Sequence, residues 1–267
     1  MPIELNGRAI VITGAGSGIG ATTALACARA GMKLVINGRR LDKLEQVADL
    51  VRAAGAEVEI VAGDVTASGV SARLLDAAQQ RFGGFYAVIA NAGYGFFRRV
   101  HETPMAELRQ IFEVNFFAAV ELLQLAANRL IAAGQPGHLL MTSSALAKIT
   151  LPHSSAYSAT KAAQNHVCRA MNLELSQQGI HVSSVHPITT TTEFFDVAER
   201  IPGHVRFAQP PRALTQPAER VADAIVKCLR KPKPEVWTSG MVRRFMGWAT
   251  IYPSWADAIG RRQMRGH

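Results

Sequence analysis

Short apolar runs alternate along the chain with stretches in which apolar positions recur every three to four residues. The runs occupy residues 9–13, 33–37, 58–62, 85–90, 138–142 and 180–185, and 235–237 continues the series. Helical spacing fills 21–30, 42–53, 71–81, 105–132, 156–177 and 219–229. A strand covered on both faces reads as a continuous apolar run, and strands separated by helices pair in parallel through crossovers. The pattern predicts an α/β, Rossmann-like, doubly wound sheet of seven parallel strands with helices on both faces and right-handed crossovers. Regularity lapses over 187–217, which is rich in Pro, Thr and Phe. A loop of that length inside a compact body is usually functional, and here it is read as the substrate loop. Residues 1–240 are expected to form one Rossmann-type domain that includes this loop, with 241–267 as a basic-aromatic extension packed on it.

Composition narrows the class. Hydrophobic residues make up 48% and charged residues 18%, the proportions of a folded soluble protein. No run reaches the roughly 20 apolar residues of a membrane span, and residues 1–7 lack a basic, apolar leader. Cys27, Cys168 and Cys228 lie far apart in helical segments without metal-ligand spacing. They read as small buried hydrophobes; no metal is expected, and the setting is expected to be reducing and cytoplasmic. The formal charge is +9, of which residues 227–267 carry +7. The near-neutral remainder argues against nucleic acid as the principal partner.

The first strand runs into Thr13-Gly14-Ala15-Gly16-Ser17-Gly18-Ile19-Gly20 and then a helix. Glycines permit a tight turn and close approach of backbone to a pyrophosphate, and the helix start offers N–H groups to anionic oxygens. A tight strand–helix turn alone would use the same residues. The second strand ends in Asn37-Gly38-Arg39-Arg40, without the acid that holds the ribose hydroxyls of NAD. Guanidinium groups there suit a 2′-phosphate, so NADP(H) is favoured over NAD(H); the alternative is that Arg39 and Arg40 are solvated helix-start residues.

Tyr157 and Lys161 are one helical turn apart and share a face. An ammonium beside a phenol, together with positive charge on an oxidised nicotinamide, favours phenolate and lowers the phenol's pKa, so that Tyr157 could give a proton to a carbonyl oxygen in reduction or take one from an alcohol in oxidation. Asn115 in mid-helix admits a purely structural role, Ser143 is distinguished from Ser144 only by spacing, and Asn91-Ala92-Gly93 also suits a strand end.

Taken together, Thr13–Gly20, Asn91-Ala92-Gly93, Asn115, Ser144 and Tyr157-x-x-x-Lys161 resemble the short-chain dehydrogenase/reductase family over residues 5–237. The resemblance implies an oxidoreductase that moves hydride between NADP(H) and a carbonyl or secondary alcohol. Tyr157 would be the acid/base, Lys161 would hold the nicotinamide ribose and tune Tyr157, and Ser144 would bond the substrate oxygen. Asn115 would position a water that relays protons to Lys161. Gly14, Ser17, Gly18, Ile19 and Gly20 would hold phosphate, Asp64 and Val65 the adenine, and Asn91, Ala92 and Gly93 the cleft floor. Pro187, Ile188, Thr190 and Thr192 would meet the carboxamide and phosphate end, and Arg39 matches the basic position of NADP-preferring members. Two departures stand out. Ile188 replaces the family's glycine after proline, which tightens the nicotinamide pocket. Ser17 stands where many NADP-preferring members carry a basic residue, which leaves the preference to Arg39 and Arg40. A non-catalytic NADP(H)-binding regulator on the same fold is the competing function, disfavoured by the intact Ser144, Tyr157 and Lys161.

Phe96, Phe97, Phe194 and Phe195 fall in the loops that flank the family's site and suit an apolar substrate, although each would equally well pack its loop. His153, four residues before Tyr157, either faces the same pocket or is structural. The tail combines Arg243, Arg244, Arg261, Arg262 and Arg265 with Phe245, Met246, Trp248, Ile251, Tyr252 and Trp255, and Pro253 interrupts it. Packing on the protein or its oligomer is favoured over peripheral membrane contact. The resemblance also implies a homo-oligomer, a dimer or tetramer, built through the helices at 105–132 and 156–177, where Ala118, Ala119, Ala126, Ala127, Ala162 and Ala163 would let helices approach closely.

Overall fold

A computed structural model describes residues 2–201, 203–205 and 215–264. Seven parallel strands form one sheet: β1 (Ala9–Ile12), β2 (Lys33–Gly38), β3 (Val58–Ala62), β4 (Ala87–Ala90), β5 (Gly137–Thr142), β6 (Ile180–His186) and, after two short strands introduced below, β9 (Glu235–Trp237). Their spatial order is β3-β2-β1-β4-β5-β6-β9, so the direction of winding reverses between β1 and β4. Each strand sends alternate side chains to opposite faces. Ile10, Ile12, Leu34, Ile36 and Ile89 join one buried layer, while Val11, Val35, Val88, Leu139 and Met141 join the other.

Helices α1 (Gly18–Arg29), α2 (Leu41–Ala53) and α8 (Ala218–Arg230) cover the first face. Helices α3 (Val70–Phe82), α5 (Ala118–Ala132) and α6 (Ser155–Leu175) cover the second. The amphipathic pattern of α8 shows why it docks: Val221, Ala222, Ile225, Cys228 and Leu229 form a single buried stripe. All three cysteines are buried and unpaired.

The predicted helix at 105–132 is divided. Helix α4 (Met105–Phe112) passes through one π-helical turn (Glu113–Phe117) into α5. The cause is Asn115, whose side chain is drawn to the Tyr94 backbone while its carbonyl accepts a bond from Gln164 on α6. Such inserted residues often mark functional positions. The stretch Met105–Ala132 as a whole is long and apolar enough to cross a membrane by length and composition. Ile111, Ala119, Leu122, Leu123, Ala126 and Leu130 nevertheless pack it into the protein as a core helix.

The irregular region after β6 contains β7 (Thr189–Thr191), α7 (Phe194–Glu199) and β8 (Thr215–Pro217), with β7 and β8 paired in parallel. The β-branched threonine run carried a strand signal that the prolines around it obscured. Residues 206–214 of the expected substrate loop, and Arg265, lie outside the described residues. Past β9, α9 (Gly240–Ile251) and α10 (Pro253–Met264) meet at Pro253, which occupies the first turn of α10, where its missing N–H costs nothing.

Candidate active site

The carboxyl ends of the strands open into a cleft of about 1590 Å³ at the point where the winding reverses. That exceeds the roughly 300–1,000 Å³ of single-ligand pockets, so the cleft accommodates two molecules end to end. It brings together the expected Gly14, Ser17, Gly18, Ile19, Arg39, Arg40, Asp64, Val65, Asn91, Ala92, Gly93, Ser144, Tyr157, Lys161, Pro187, Ile188, Thr190 and Thr192. Gly20 and Asn115 lie behind this lining and shape it.

The turn between β1 and α1 demands glycine in two ways. Gly14 and Gly18 have φ of 64° and 54°, in the left-handed region. A Cβ on Gly20 would lie 2.1 Å from the Gly14 carbonyl oxygen. Ser17 caps α1 without a side-chain capping bond, and the first turn holds no acid. The N–H groups at this helix start face the cleft, and the Glu193 carboxyl lies beside the N-cap residue Ser17. This geometry fits the diphosphate of a dinucleotide. Asn91 ties the turn to the sheet: Nδ2 donates to the Thr13 and Gly14 carbonyls at 3.1 and 3.3 Å, while Oδ1 accepts from Thr142 Oγ1 at 3.0 Å.

At the adenine end, the Thr66 backbone N–H chiefly, with the Thr66 hydroxyl and nearby Arg39, holds the Asp64 carboxyl below its ordinary range. Arg39 is exposed and forms no ion pair among the described residues. Arg40 does: its guanidinium meets Glu193 at 2.8 Å, and the Glu193 carboxyl also lies near Ser17 and Lys43. Sequence reasoning treated Arg40 as a phosphate reader and did not single out Glu193. Nothing in the sequence signals a pairing across 153 positions.

Thr192 packs directly on the phosphate turn, 3.1 Å from where a Gly18 Cβ would sit. Thr190 is buried, donates to the Ile188 carbonyl at 2.8 Å and accepts from Gln216 at 3.3 Å. Ile188, the departure from the family glycine, packs with Ala145, Ile149, Val242 and Met246. Its side chain therefore joins the floor under α9 while also bordering the cleft.

At the opposite end, the Ser144 side chain lies beside the Tyr157 hydroxyl and acts to lower its pKa, and Ser144 Oγ accepts from the Leu146 N–H at 3.1 Å. Ser143 also borders the cleft, but its hydroxyl donates to the Lys161 carbonyl at 2.9 Å. Lys161 is 4% exposed. Its ammonium donates to the Thr142 carbonyl at 2.7 Å and to Gln164 Oε1 at 3.2 Å, and lies 5.5 Å from the centroid of the Tyr157 ring. Asn115 is fully buried; its Oδ1 accepts from Tyr94 N–H at 3.0 Å, and its Nδ2 donates to the Tyr94 carbonyl and Thr160 Oγ1 at 2.9 and 3.1 Å. Asn115 thus connects to Lys161 through Gln164, a residue sequence reasoning missed.

The titration pattern departs from the sequence expectation. Burial pushes the Tyr157 phenol up to about 12, opposed by the neighbouring Ser144 hydroxyl. Burial also pulls the Lys161 ammonium down to about 7. Desolvation disfavours both charged forms, and the positive charge of an oxidised nicotinamide, the other part of the expectation, would act in the opposite direction on Tyr157.

Behind Ser144, His186 Nδ1 donates to the Ser144 carbonyl at 2.9 Å, Nε2 lies 2.9 Å from Ser184 Oγ, and the ring stacks on Trp237 with centroids 4.5 Å apart. Burial pulls its pKa down to about 4. The front wall is aromatic. Phe194 meets the Tyr157 ring edge-on at 5.4 Å, and Gly95 leaves them room: a Cβ there would lie 2.5 Å from Phe194. Phe97 and Phe195 stack at 6.2 Å. Phe96 and Phe97 are both buried, so they pack their loop onto the body as well as bordering the cleft. His153 borders the cleft at a φ of 66°. Among the described residues, no group of three His, Cys, Asp or Glu is placed to hold a metal.

The chain is similar to known proteins in sequence and in fold. The family model described as short chain dehydrogenase matches residues 8–200. 7α-hydroxysteroid dehydrogenase of Escherichia coli K12 is 29% identical over 247 residues, covering 92% of this chain and 95% of that protein. 1-Deoxy-11-beta-hydroxypentalenate dehydrogenase of Streptomyces exfoliatus is 36% identical over 187 residues, 69% of this chain and 68% of its own. The glycine betaine reductase ATRR of Emericella nidulans is 31% identical over 229 residues, but this chain spans only 18% of its length. A Burkholderia phymatum short-chain dehydrogenase in complex with NAD superposes with a TM-score of 0.82 at 27% identity, covering 91% of this chain and 93% of that one. A Sphingobium yanoikuyae short-chain dehydrogenase in complex with NADPH gives 0.78 at 26% identity, covering 96% and 94%.

Proposed function

The chain belongs to the short-chain dehydrogenase family, and from that premise we propose that it is an NADP(H)-dependent reductase and dehydrogenase of apolar carbonyls and secondary alcohols. The observation that carries the reading is the Ser144–Tyr157–Lys161 cluster at one end of a cleft whose other end is a glycine turn and an uncapped helix start. The nicotinamide, when bound, supplies or accepts the hydride. Tyr157 Oη then donates its proton to the carbonyl oxygen, and the neutral phenol kept by burial is the form that step requires. Ser144 Oγ holds the same oxygen by a hydrogen bond and fixes its position. Lys161, tied to Thr142 and Gln164, lies one turn from Tyr157 to hold ribose hydroxyls and return a proton to the phenol. In the oxidative direction the phenolate of Tyr157 would accept the alcohol proton, a form that the positive charge of an oxidised nicotinamide favours.

Arg39 carries the preference for NADP(H), because Arg40 is engaged by Glu193. The known relatives do not decide this point, since similar structures hold either NAD or NADPH. The apolar substrate reading rests on Phe194, Phe195, Val197, Leu151 and Met246 around the cleft, and it accords with the hydroxysteroid and hydroxypentalenate in the names of two relatives. Exposed Phe117 and Leu173, on the helices expected to associate, support a homo-oligomer. Light scattering in solution tests that part: a single-chain mass would contradict it. The reaction is tested by following absorbance of NADPH and of NADH with a panel of ketones and aldehydes. Faster turnover of bulky apolar carbonyls with NADPH supports the proposal; a preference for small charged keto acids, or for NADH, overturns the corresponding part.

A further inference from the structure

Helix α9 borders the mouth of the cleft, and two of its faces are apolar. Val242, Met246 and Ala249 are buried and form the stripe that fixes it to the body. Met241, Phe245, Trp248 and Tyr252, spaced by four, three and four residues, form a second stripe beside it. That stripe faces solvent: Trp248 is 59% exposed, and Ile251 and Tyr252 are exposed as well. The rings are organised. Trp248 stacks on Tyr252 with centroids 5.4 Å apart, and Phe245 lies 5.6 Å from Trp255 of α10. Contiguous exposed aromatics on one side of a folded chain mark an interaction surface.

Charge indicates what that surface meets. Residues 240–267 contain five arginines and one acid. Arg243 and Arg244 on α9 and Arg261 on α10 are exposed. A second copy bound through the same patch by a two-fold axis would set these guanidinium groups against one another. An anionic lipid surface answers both features, since aromatic rings settle at the headgroup level and guanidinium groups bond phosphate. Helix α9 has 12 residues, too few to span a bilayer of about 30 Å but suited to lie along its surface.

We propose that α9 and the start of α10 dock this protein on an anionic phospholipid bilayer, through Phe245, Trp248, Ile251, Tyr252 and Trp255, with Arg243 and Arg244 on the headgroups. Met241 and Phe245 also line the cleft. The docked face therefore opens the cleft toward the lipid in which apolar carbonyls concentrate. This last point rests on the proposed apolar substrate; the docking does not.

The full chain is sedimented with vesicles of phosphatidylcholine alone and of phosphatidylcholine mixed with phosphatidylglycerol, and its tryptophan emission is followed. Binding to the mixed vesicles alone, weakening with added salt and accompanied by a blue shift, is the expected result. Arg243→Gln/Arg244→Gln is expected to lower the partition coefficient about 25-fold, from about fivefold per basic residue near such a surface. Trp248→Ser/Tyr252→Ser is expected to weaken binding and to reduce the blue shift to the part that Trp255 contributes. None of these four residues lines the cleft, so both variants keep the thermal midpoint and the turnover of a small water-soluble aldehyde. Absence of wild-type binding at low salt overturns the proposal, as does binding that neither variant weakens. A fall in particle mass of Trp248→Ser/Tyr252→Ser without vesicles overturns it in favour of a second copy. Vesicle binding by a protein that reduces no carbonyl would leave the docking standing and remove the redox reading.

Discussion

On one side of the cleft, Gly14, Gly18 and Gly20 let backbone do the positioning; on the other, Thr190, Thr192, Phe194 and Ile188 position the walls by side-chain packing. The first side is continuous with β1, β2 and β4 at the centre of the sheet. Its form follows from local geometry: a parallel strand, a turn only glycine tolerates, and a helix start. The second side is assembled from a three-residue strand pair, a six-residue helix and the C-terminal helices. Each is too short to be stable alone and depends on contacts between residues far apart in sequence. Backbone-built sites bind what every relative binds, whereas packing-built walls are where members of one fold diverge in substrate.

The largest expected effect sits where the two sides meet. Tyr157→Phe removes the proton donor and leaves the ring against Phe194, so kcat for carbonyl reduction should fall by roughly 10²–10⁴-fold. NADPH affinity, read by fluorescence titration, should change little. Equal loss of affinity would make Tyr157 a wall instead of an acid.

On the backbone side, Arg39→Ala should lower kcat/KM for NADPH by roughly 10–100-fold, the worth of a charge-assisted hydrogen bond, and leave NADH nearly unchanged. Arg40→Ala should affect the two cofactors alike, because Arg40 is held by Glu193. The opposite pattern would exchange their roles. Gly20→Ala should cost about 1–3 kcal/mol of stability through the clash with the Gly14 carbonyl. Thermal unfolding with and without NADPH reads both that loss and the weakened cofactor stabilisation.

On the packed side, His186 ties Ser144 to the sheet as a neutral ring. Its pKa is lowered from 6.5 to about 4, so the unfolded chain binds the extra proton first as pH falls. Stability linked to this ring is complete above about pH 6.5 and is lost between there and pH 4, by about 3 kcal/mol in all. His186→Asn should flatten the fall of Tm across that interval; an unchanged slope would show that other groups govern it. The smallest effect belongs to Glu193→Gln. The Arg40 pair it breaks is about half exposed, so it should cost less than about 1 kcal/mol and be masked by salt.

The same contrast explains what the sequence made legible. The short apolar runs between helical stretches made the seven-stranded parallel sheet legible, though not its strand order, and Tyr157, Lys161 and Ser144 border one cleft as their spacing suggested. Gln164 and Glu193 were not legible, since one acts through a main-chain carbonyl and the other through a partner 153 positions away. The direction of the Tyr157 and Lys161 shifts was not legible either: spacing reports that two groups are close, but not how much water both have lost. Ile188 looked like an intrusion on the cofactor until α9 supplied Val242 and Met246 for it to rest on.

In the proposed reaction, hydride passes within this cleft between a nicotinamide and a carbonyl carbon beside Tyr157. Single-turnover reduction of an apolar ketone by the wild-type enzyme, using NADPH deuterated at the transferable nicotinamide position, tests it directly. The account predicts deuterium on the carbinol carbon of the product, at a rate lowered at least about 100-fold in Tyr157→Phe. Deuterium retained on a tightly bound cofactor, or transfer at the same rate in Tyr157→Phe, would contradict it.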